Sequence, residues 1–183
     1  DMTISAYIIR WEDNEWKCLV HFHKKIEKLM QIGGHIELDE TPWQAVAHEL
    51  EEESGYMLSQ LDVLQHTADV VREHGSLSHP TPFTMNTHDV GNDHYHSDLC
   101  YGFVASSTPA KKVAGDESAD LRWMNIDEME RAAGSGELLQ DVLYIYQFMA
   151  SHLETYVQVP ASRFSVDKPQ SVGLTYKRGA PGV

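Results

Sequence analysis

The chain has 183 residues, and its 14 lysines and arginines stand against 28 aspartates and glutamates, which gives a formal net charge of −14. A chain this acidic does not attract phosphate backbones by bulk charge, so a nucleic-acid polymer is a poor partner. The 42% of hydrophobic residues is enough for a folded core, and no run of about 18 apolar residues predicts a membrane span. We therefore expect a soluble protein without a membrane partner. Its two cysteines, Cys18 and Cys100, cannot form a disulfide framework and predict a cytoplasmic location.

The first 38 residues predict short strands and contain one pair of adjacent glycines. Residues 3–11 and 16–22 are rich in apolar and β-branched side chains and are separated by a turn signal, which is typical of a hairpin. Residues 29–32 predict a third strand that leads into Gly33-Gly34, and residues 35–38 can continue it. These strands give the beginning of a sheet.

One helix is predicted over residues 42–54, and its signals are the best marked in the chain. Thr41 can cap its first turn, Pro42 suits the first helical position, and Gln44 stands three residues after Thr41 as in a capping box. Gly55 is placed to end the helix.

The second half of the chain predicts three further strands, two helices and a long loop. The strands are expected over residues 61–65, 94–106 and 119–124, and the polar residues 72–93 between the first two are predicted to be a loop. One helix is expected over residues 126–133. The other is indicated by an apolar stripe at helical spacing, formed by Leu138, Val142, Ile145, Met149 and Leu153.

The composition changes after Tyr156. Residues 157–183 carry proline, serine, glycine and several basic residues. We expect one domain over residues 1–156, followed by an extended, basic arm over residues 157–183 that is partly disordered.

The predicted helix over residues 42–54 carries a cluster of carboxylates on one side. At about 100° per residue, Glu49, Glu52 and Glu53 fall within a single arc beside the apolar face, whereas Glu51 points elsewhere. Carboxylates at these spacings repel one another unless a cation lies between them. Carboxylate oxygens are the ligands that Mg²⁺ and Mn²⁺ prefer, and such ions bind substrate phosphates. The helix therefore predicts a metal site that acts on phosphates, although a solvated acidic face is the simpler alternative.

The same residues match a family signature. The stretch consists of Gly34, five residues, Glu40, seven residues and then His48-Glu49-Leu50-Glu51-Glu52-Glu53-Ser54-Gly55-Tyr56. It resembles the Nudix box, G-x5-E-x7-R-E-U-x-E-E-x-G-U, where U is a bulky apolar residue. One fixed position departs from the box, since His48 stands where the box has arginine, and Tyr56 matches the final apolar position loosely.

The resemblance implies an α/β fold, a Nudix-type α/β/α sandwich with a mixed sheet. It also implies a pyrophosphohydrolase that acts on acid anhydrides: a pyrophosphate linkage in a nucleoside diphosphate derivative or nucleoside triphosphate is hydrolysed by attack of water at phosphorus. The implied cofactor is Mg²⁺, with Mn²⁺ as a substitute. The implied partner is a small-molecule nucleotide, and a homodimer stays open.

The resemblance also assigns roles by position. Glu49, Glu52 and Glu53 are expected to be the metal ligands and catalytic residues. The carbonyl of Gly33 is expected to join them, and Glu117 is a further candidate ligand, with a surface acid as the alternative. The structural positions of the box are expected to be Gly34, Glu40, His48 and Gly55.

His48 is the departure with a chemical consequence, because histidine is neutral over much of the physiological pH range and arginine is not. Two interpretations stay open. His48 forms a hydrogen bond with Glu52, one helical turn away, and is a tolerated replacement, or activity is reduced or altered. The second interpretation allows a non-catalytic Nudix-like module that binds or senses a nucleotide.

Substrate-binding residues are predicted beyond the box. The loop over residues 72–93 is expected to close over the non-metal end of the substrate, with Arg72 and Phe83 as contacts. His94 and His96 alternate along the following strand and could contact a phosphate or ribose. They could also bind a transition metal together with His21 and His23 if the two strands were neighbours, and ordinary hydrogen-bonded histidines are the simpler alternative.

Overall fold

The computed structural model describes residues 1–70, 77–115 and 117–168. Within these residues the regular elements are nine strands and three α-helices. They are β1 (Met2–Glu12), β2 (Glu15–His23), β3 (Lys28–Met30), β4 (Ile32–His35), α1 (Pro42–Glu49) with a π-helical turn (Leu50–Ser54), β5 (Leu61–Gln65), β6 (Thr84–Gly91), β7 (His94–Ala105), β8 (Leu121–Met124), α2 (Ile126–Gly134), α3 (Gln140–Ser151) and β9 (Val157–Pro160). Three short 3₁₀ turns lie at Leu58–Gln60, Leu153–Thr155 and Ala161–Arg163.

The strands of the described residues form one mixed sheet. Its central path runs β3-β2-β1-β7-β5-β9, with β4 paired to β1, β6 to β7 and β8 to β2. Strands β1 and β7 are parallel, and the other pairs are antiparallel. Strand β1 is therefore the element that joins the box region, through β4, to β7.

Helices cover both faces of the sheet. Alternate residues of β1 divide between two cores: Ile4 and Ile8 pack on the side of α1, and Tyr7 and Ile9 pack on the side of α2 and α3. This alternation is what a strand buried on both faces requires. The predicted α/β/α sandwich with a mixed sheet is confirmed.

The local signals at the start of α1 are confirmed in detail. The Thr41 side chain accepts a hydrogen bond from the Gln44 N–H, and the Gln44 side chain accepts one from the Thr41 N–H. The end of the predicted helix differs from the prediction, since Leu50–Ser54 forms a wider, π-helical turn rather than an α-helical one. Such turns are rare and occur often at functional sites.

The prediction of a loop over residues 72–93 is wrong for its second half. Residues Thr84–Gly91 form strand β6, which pairs with β7 around a tight turn at Asn92 and Asp93, both at positive φ. The strand was missed because most of its side chains are polar and exposed, so hydrogen bonds to β7 rather than an apolar pattern stabilise it. Residues 71–76, which include Arg72, lie outside the described residues.

The beginning of the expected C-terminal arm lies inside the fold. Strand β9, Val157–Pro160, pairs with β5, and Phe164 is buried with its ring against Trp43. Residues 169–183, the rest of the expected arm, lie outside the described residues.

None of the helices within residues 1–70, 77–115 and 117–168 combines the length and the apolar character that crossing a membrane requires.

Candidate active site

The end of α1 and the π-helical turn bring the three predicted carboxylates to one place. Glu53 is buried, Glu49 is half-buried and Glu52 is exposed. Glu51 lies apart from them and forms a salt bridge with Lys111. The sequence expectation that Glu51 points away is therefore confirmed.

Glu53 lies against the glycine pair and against β2. Its Oε2 atom accepts a hydrogen bond from the Gly33 N–H at 2.9 Å and is 3.6 Å from Nε2 of His21. His21 is fully buried, and burial lowers its pKa to about 4, so its imidazole is neutral at pH 7. A neutral ring does not balance the charge of a carboxylate.

Gly34 makes room for Glu49. A Cβ at position 34 would lie 2.1 Å from Oε1 of Glu49 and 2.7 Å from its Cδ. Contacts this short do not occur, so any side chain at position 34 would displace the carboxylate. The glycine of the box is thus required by the position of a box glutamate.

The electrostatics of the cluster favour a cation. Burial, together with the charges of the neighbouring carboxylates Glu52 and Glu117, raises the pKa of Glu49 to about 7 and that of Glu53 to about 8. The salt bridges of the described residues give Glu49 and Glu53 no lysine or arginine partner. Both carboxylates would therefore ionise readily only when a positive charge lies between them.

His48 bridges two carboxylates of the box. Its Nε2 lies 3.0 Å from Oε1 of Glu52, and its Nδ1 lies 3.3 Å from Oε1 of Glu40. Partial burial opposes a charged ring, but the hydrogen bond and charge of Glu52, with the charges of Glu40 and Glu49, outweigh it and raise the pKa of His48. The expected hydrogen bond between His48 and Glu52 is present, and Glu40 is tied to the helix through the same ring.

Gly55 lies where the box predicts the end of the helix, and Glu117, the further candidate ligand, lies near the carboxylate cluster. Gly55 has φ 73°, and a Cβ there would lie 2.2 Å from the carbonyl oxygen of Lys111, so the chain needs glycine at this turn. Glu117 is half-buried, and its charge acts on both Glu49 and Glu53. It is close enough to the cluster to remain a candidate ligand.

A cleft of about 410 Å³ begins at the glycine pair. Gly33 and Gly34 line it next to residues of β1, β6 and β7 and of the N-terminal half of α3. Its volume falls in the range of small-molecule sites. The polar side chains that line it include Ser5, Gln31, Asn86, Asp98 and Asp141.

The structure does not place all four predicted substrate contacts in the cleft. His96 lines the cleft, and His94 lies beside Asp1, with 3.1 Å between His94 Nε2 and Asp1 Oδ2. Phe83 does not line the cleft, because its ring packs between Tyr7 and Phe148 in the core. Arg72 lies outside the described residues.

A family model describes most of the chain. The NUDIX domain model matches residues 4–142, which span β1 to the first residues of α3 and include the box and the cleft. The chain belongs to the NUDIX family. It is a Nudix hydrolase, and the family that the box resembles is confirmed.

Solved structures of Nudix proteins share the fold. A NUDIX-family hydrolase from Clostridium perfringens has a TM-score of 0.59 and 24% identity, over 79% of this chain and 91% of that one. The NUDIX domain of Shewanella oneidensis NrtR, in complex with ADP ribose, has a TM-score of 0.58 and 16% identity over 83% and 87%. A Caenorhabditis elegans Ap4A hydrolase has the same TM-score and identity over 82% and 98%. Among curated proteins, no sequence matches the chain.

Sequence reasoning missed one residue of this Nudix site. His21 was expected only as a member of a histidine pair on β2, but its ring lies under Glu53. The condition for a metal site shared by the histidines of β2 and β7 is not met, since β1 lies between the two strands. The only signal in the sequence was the alternation of His21 and His23, and the contact with Glu53 depends on packing between residues 32 positions apart.

Proposed function

We propose that this Nudix hydrolase cleaves a pyrophosphate linkage in a nucleoside diphosphate derivative or a nucleoside triphosphate, with Mg²⁺ held by Glu49, Glu52 and Glu53 and with Mn²⁺ as a substitute. The observation that carries the proposal is the convergence of half-buried Glu49 and buried Glu53 at the glycine pair, without a lysine or arginine partner among the described residues. The Gly33 carbonyl and Glu117 complete the proposed ligand set.

The residues present fit a divalent metal by their chemistry. All the proposed ligand atoms are oxygens, which Mg²⁺ and Mn²⁺ prefer. Glu53 is oriented by the Gly33 N–H, and Glu52 is held by His48. When bound, the metal would neutralise charge on the phosphoryl oxygens and lower the pKa of a coordinated water.

The residues of the chain then have separate tasks. One of the three glutamates accepts a proton as the water oxygen forms a bond to phosphorus. The bond between that phosphorus and the bridging oxygen breaks, and the leaving phosphate departs with the electron pair. His48 is a positioning residue, because it holds Glu52 and Glu40 rather than the reacting atoms.

The cleft is the proposed site of the non-metal end of the substrate. Among the described residues that line it, none is lysine or arginine, whereas amide, hydroxyl, imidazole and carboxylate groups are present. Such a lining suits an uncharged hydrogen-bonding group, a nucleobase or a sugar, better than a further phosphate. The segment predicted to cover the substrate takes part as strand β6, whose residue Asn86 lines the cleft.

The test is a substrate screen in water enriched in ¹⁸O. The panel contains ADP-ribose, dinucleoside polyphosphates, nucleotide sugars, CDP-alcohols and nucleoside triphosphates, each with Mg²⁺ or Mn²⁺ and each repeated with excess chelator. We expect metal-dependent turnover of at least one class with a single ¹⁸O in a phosphate product, which mass spectrometry locates.

Two outcomes would contradict the proposal. Turnover that persists in excess chelator would show that the reaction does not need a metal. Tight binding of a panel compound in calorimetry without any turnover over hours would favour the alternative, a nucleotide-binding module without catalysis.

A further inference from the structure

A second group of possible metal ligands lies at the mouth of the cleft. Asp1 lies together with His94 and His96 at the start of β7. His35, at the end of β4, adjoins this group through His96 and Asp1. The sheet brings them together, because β1 pairs with β4 at Thr3 and with β7 at Met2. The Nudix box does not include any of these four side chains except His35, which is a variable position of the box.

The distances within the group suit a tetrahedral ion. Nε2 of His35 lies 3.2 Å from Nε2 of His96 and 3.8 Å from Oδ2 of Asp1. Nε2 of His94 lies 3.1 Å from the same oxygen, and the ligand atoms of Asp1, His94 and His96 all lie within 4.8 Å of one another. Bonds of about 2.0–2.1 Å in a tetrahedral zinc site set neighbouring ligand atoms about 3.3–3.4 Å apart. Small rotations of half-exposed rings would complete that geometry.

The group is held in place by the backbone. The amino group of Asp1 donates to the carbonyl of Tyr95 at 2.9 Å, and the carbonyl of Asp1 accepts from the Ser97 N–H at 2.9 Å. These two bonds flank His96 and fix Asp1 against β7. The ring of His88, on β6, lies 5.6 Å from that of His96 and restrains it further.

We propose that His35, His94, His96 and Asp1 form a binding site for Zn²⁺, separate in chemistry from the carboxylate cluster of the box. Imidazole nitrogens select Zn²⁺ over Mg²⁺, which binds oxygen ligands. Because β4, β7 and Asp1 would be joined through the ion at the mouth of the cleft, the bound form is also more resistant to unfolding.

The test uses the full chain, stripped of metal, and Zn²⁺ alone. In calorimetry we expect one tight site that survives in the Glu52→Gln, Glu53→Gln variant. The His35→Ala, His96→Ala variant should bind more weakly by a factor on the order of 100 or more. His66→Ala is the matched control, since His66 is also exposed and its ring contacts Tyr156 rather than the group; its affinity should be unchanged.

A spectroscopic measurement separates ligand identity from folding. Co²⁺ in place of Zn²⁺ should give the intense visible bands of tetrahedral Co²⁺ in the parent and in the glutamine variant, and not in the His35→Ala, His96→Ala variant. Circular dichroism with chelator should show that the histidine variant is folded, and His96→Gln serves if it is not. Asp1→Asn should weaken Zn²⁺ binding less than loss of the two histidines, because three imidazoles remain.

The proposal is overturned if the glutamine variant loses the tight site while the histidine variant retains it, since Zn²⁺ would then bind at the box. It is also overturned if the parent shows only the weak bands of octahedral Co²⁺ or no tight site at all. These outcomes do not affect the proposed hydrolysis, which is measured with Mg²⁺.

Discussion

His48 replaces the arginine of the Nudix box and still performs the contact that the position requires. The imidazole reaches Glu52 with one nitrogen and Glu40 with the other. An arginine could make the same two contacts with a permanent charge. Position 48 therefore needs a side chain that can donate to both Glu52 and Glu40, and histidine is not the only residue that can do so.

We predict that His48→Ala lowers kcat/KM by on the order of tenfold, because Glu52 and Glu40 both lose their common partner. His48→Arg should keep most of the activity, since it restores both contacts. Steady-state kinetics on the best substrate, at a saturating Mg²⁺ concentration, measures both. An equal loss of kcat/KM in the two variants would mean that the His48 ring does more than bridge the two carboxylates.

At the scale of elements, local signals predicted α1 and the hairpin of β1 and β2, whereas β6 could not be predicted. The capping box of Thr41 and Gln44 is a short-range pattern and is present as expected. Strand β6 carries polar side chains, and only pairing with β7 makes it a strand. The contact of His21 with Glu53 was hidden for the same reason, because it depends on packing between distant elements.

The hairpin of β6 and β7 supplies a matched pair of variants. Asn86 lines the cleft, whereas the Thr87 hydroxyl lies 3.1 Å from that of Ser97 on an exposed part of the hairpin. We predict that Asn86→Ala raises KM or changes the order of preferred substrates while Mg²⁺ affinity stays the same. Thr87→Ala should leave the substrate profile unchanged. If the two variants give the same profile, the hairpin does not contact the substrate.

At the scale of the whole molecule, the carboxylate cluster links stability to pH. The pKa values of Glu49 and Glu53 are raised from 4.5 to about 7 and about 8. The folded state therefore binds protons more strongly than the unfolded state. The resulting stability is fully present below about pH 4.5 and is lost as the pH rises through 7 to 8.

We predict that the parent protein in chelator has a lower free energy of unfolding at pH 8.5 than the Glu53→Gln variant, whose side chain cannot ionise, and that added Mg²⁺ reduces the difference. Thermal or urea unfolding between about pH 5 and pH 9 measures it. Parallel curves for the two proteins would show that Glu53 does not carry the shifted proton.

The family, the fold and the box could all be predicted from the sequence, because the box is a contiguous pattern of 23 residues, 34–56. The cleft could not be predicted, because its lining comes from β1, β4, β6, β7 and α3, elements that the sheet topology brings together. The same reason applies to the histidine group, in which His35 and His96 are 61 positions apart.

The central claim is that the three box glutamates hold the metal that hydrolysis requires. The most direct measurement is the Mg²⁺-dependent kcat/KM of the double variant Glu52→Gln, Glu53→Gln. The control is Glu51→Gln, which changes a residue of the same turn that pairs with Lys111 outside the cluster. The account predicts a loss on the order of 100-fold or more for the double variant and little change for the control. Equal activity in the parent and the double variant, at every Mg²⁺ concentration, would contradict it.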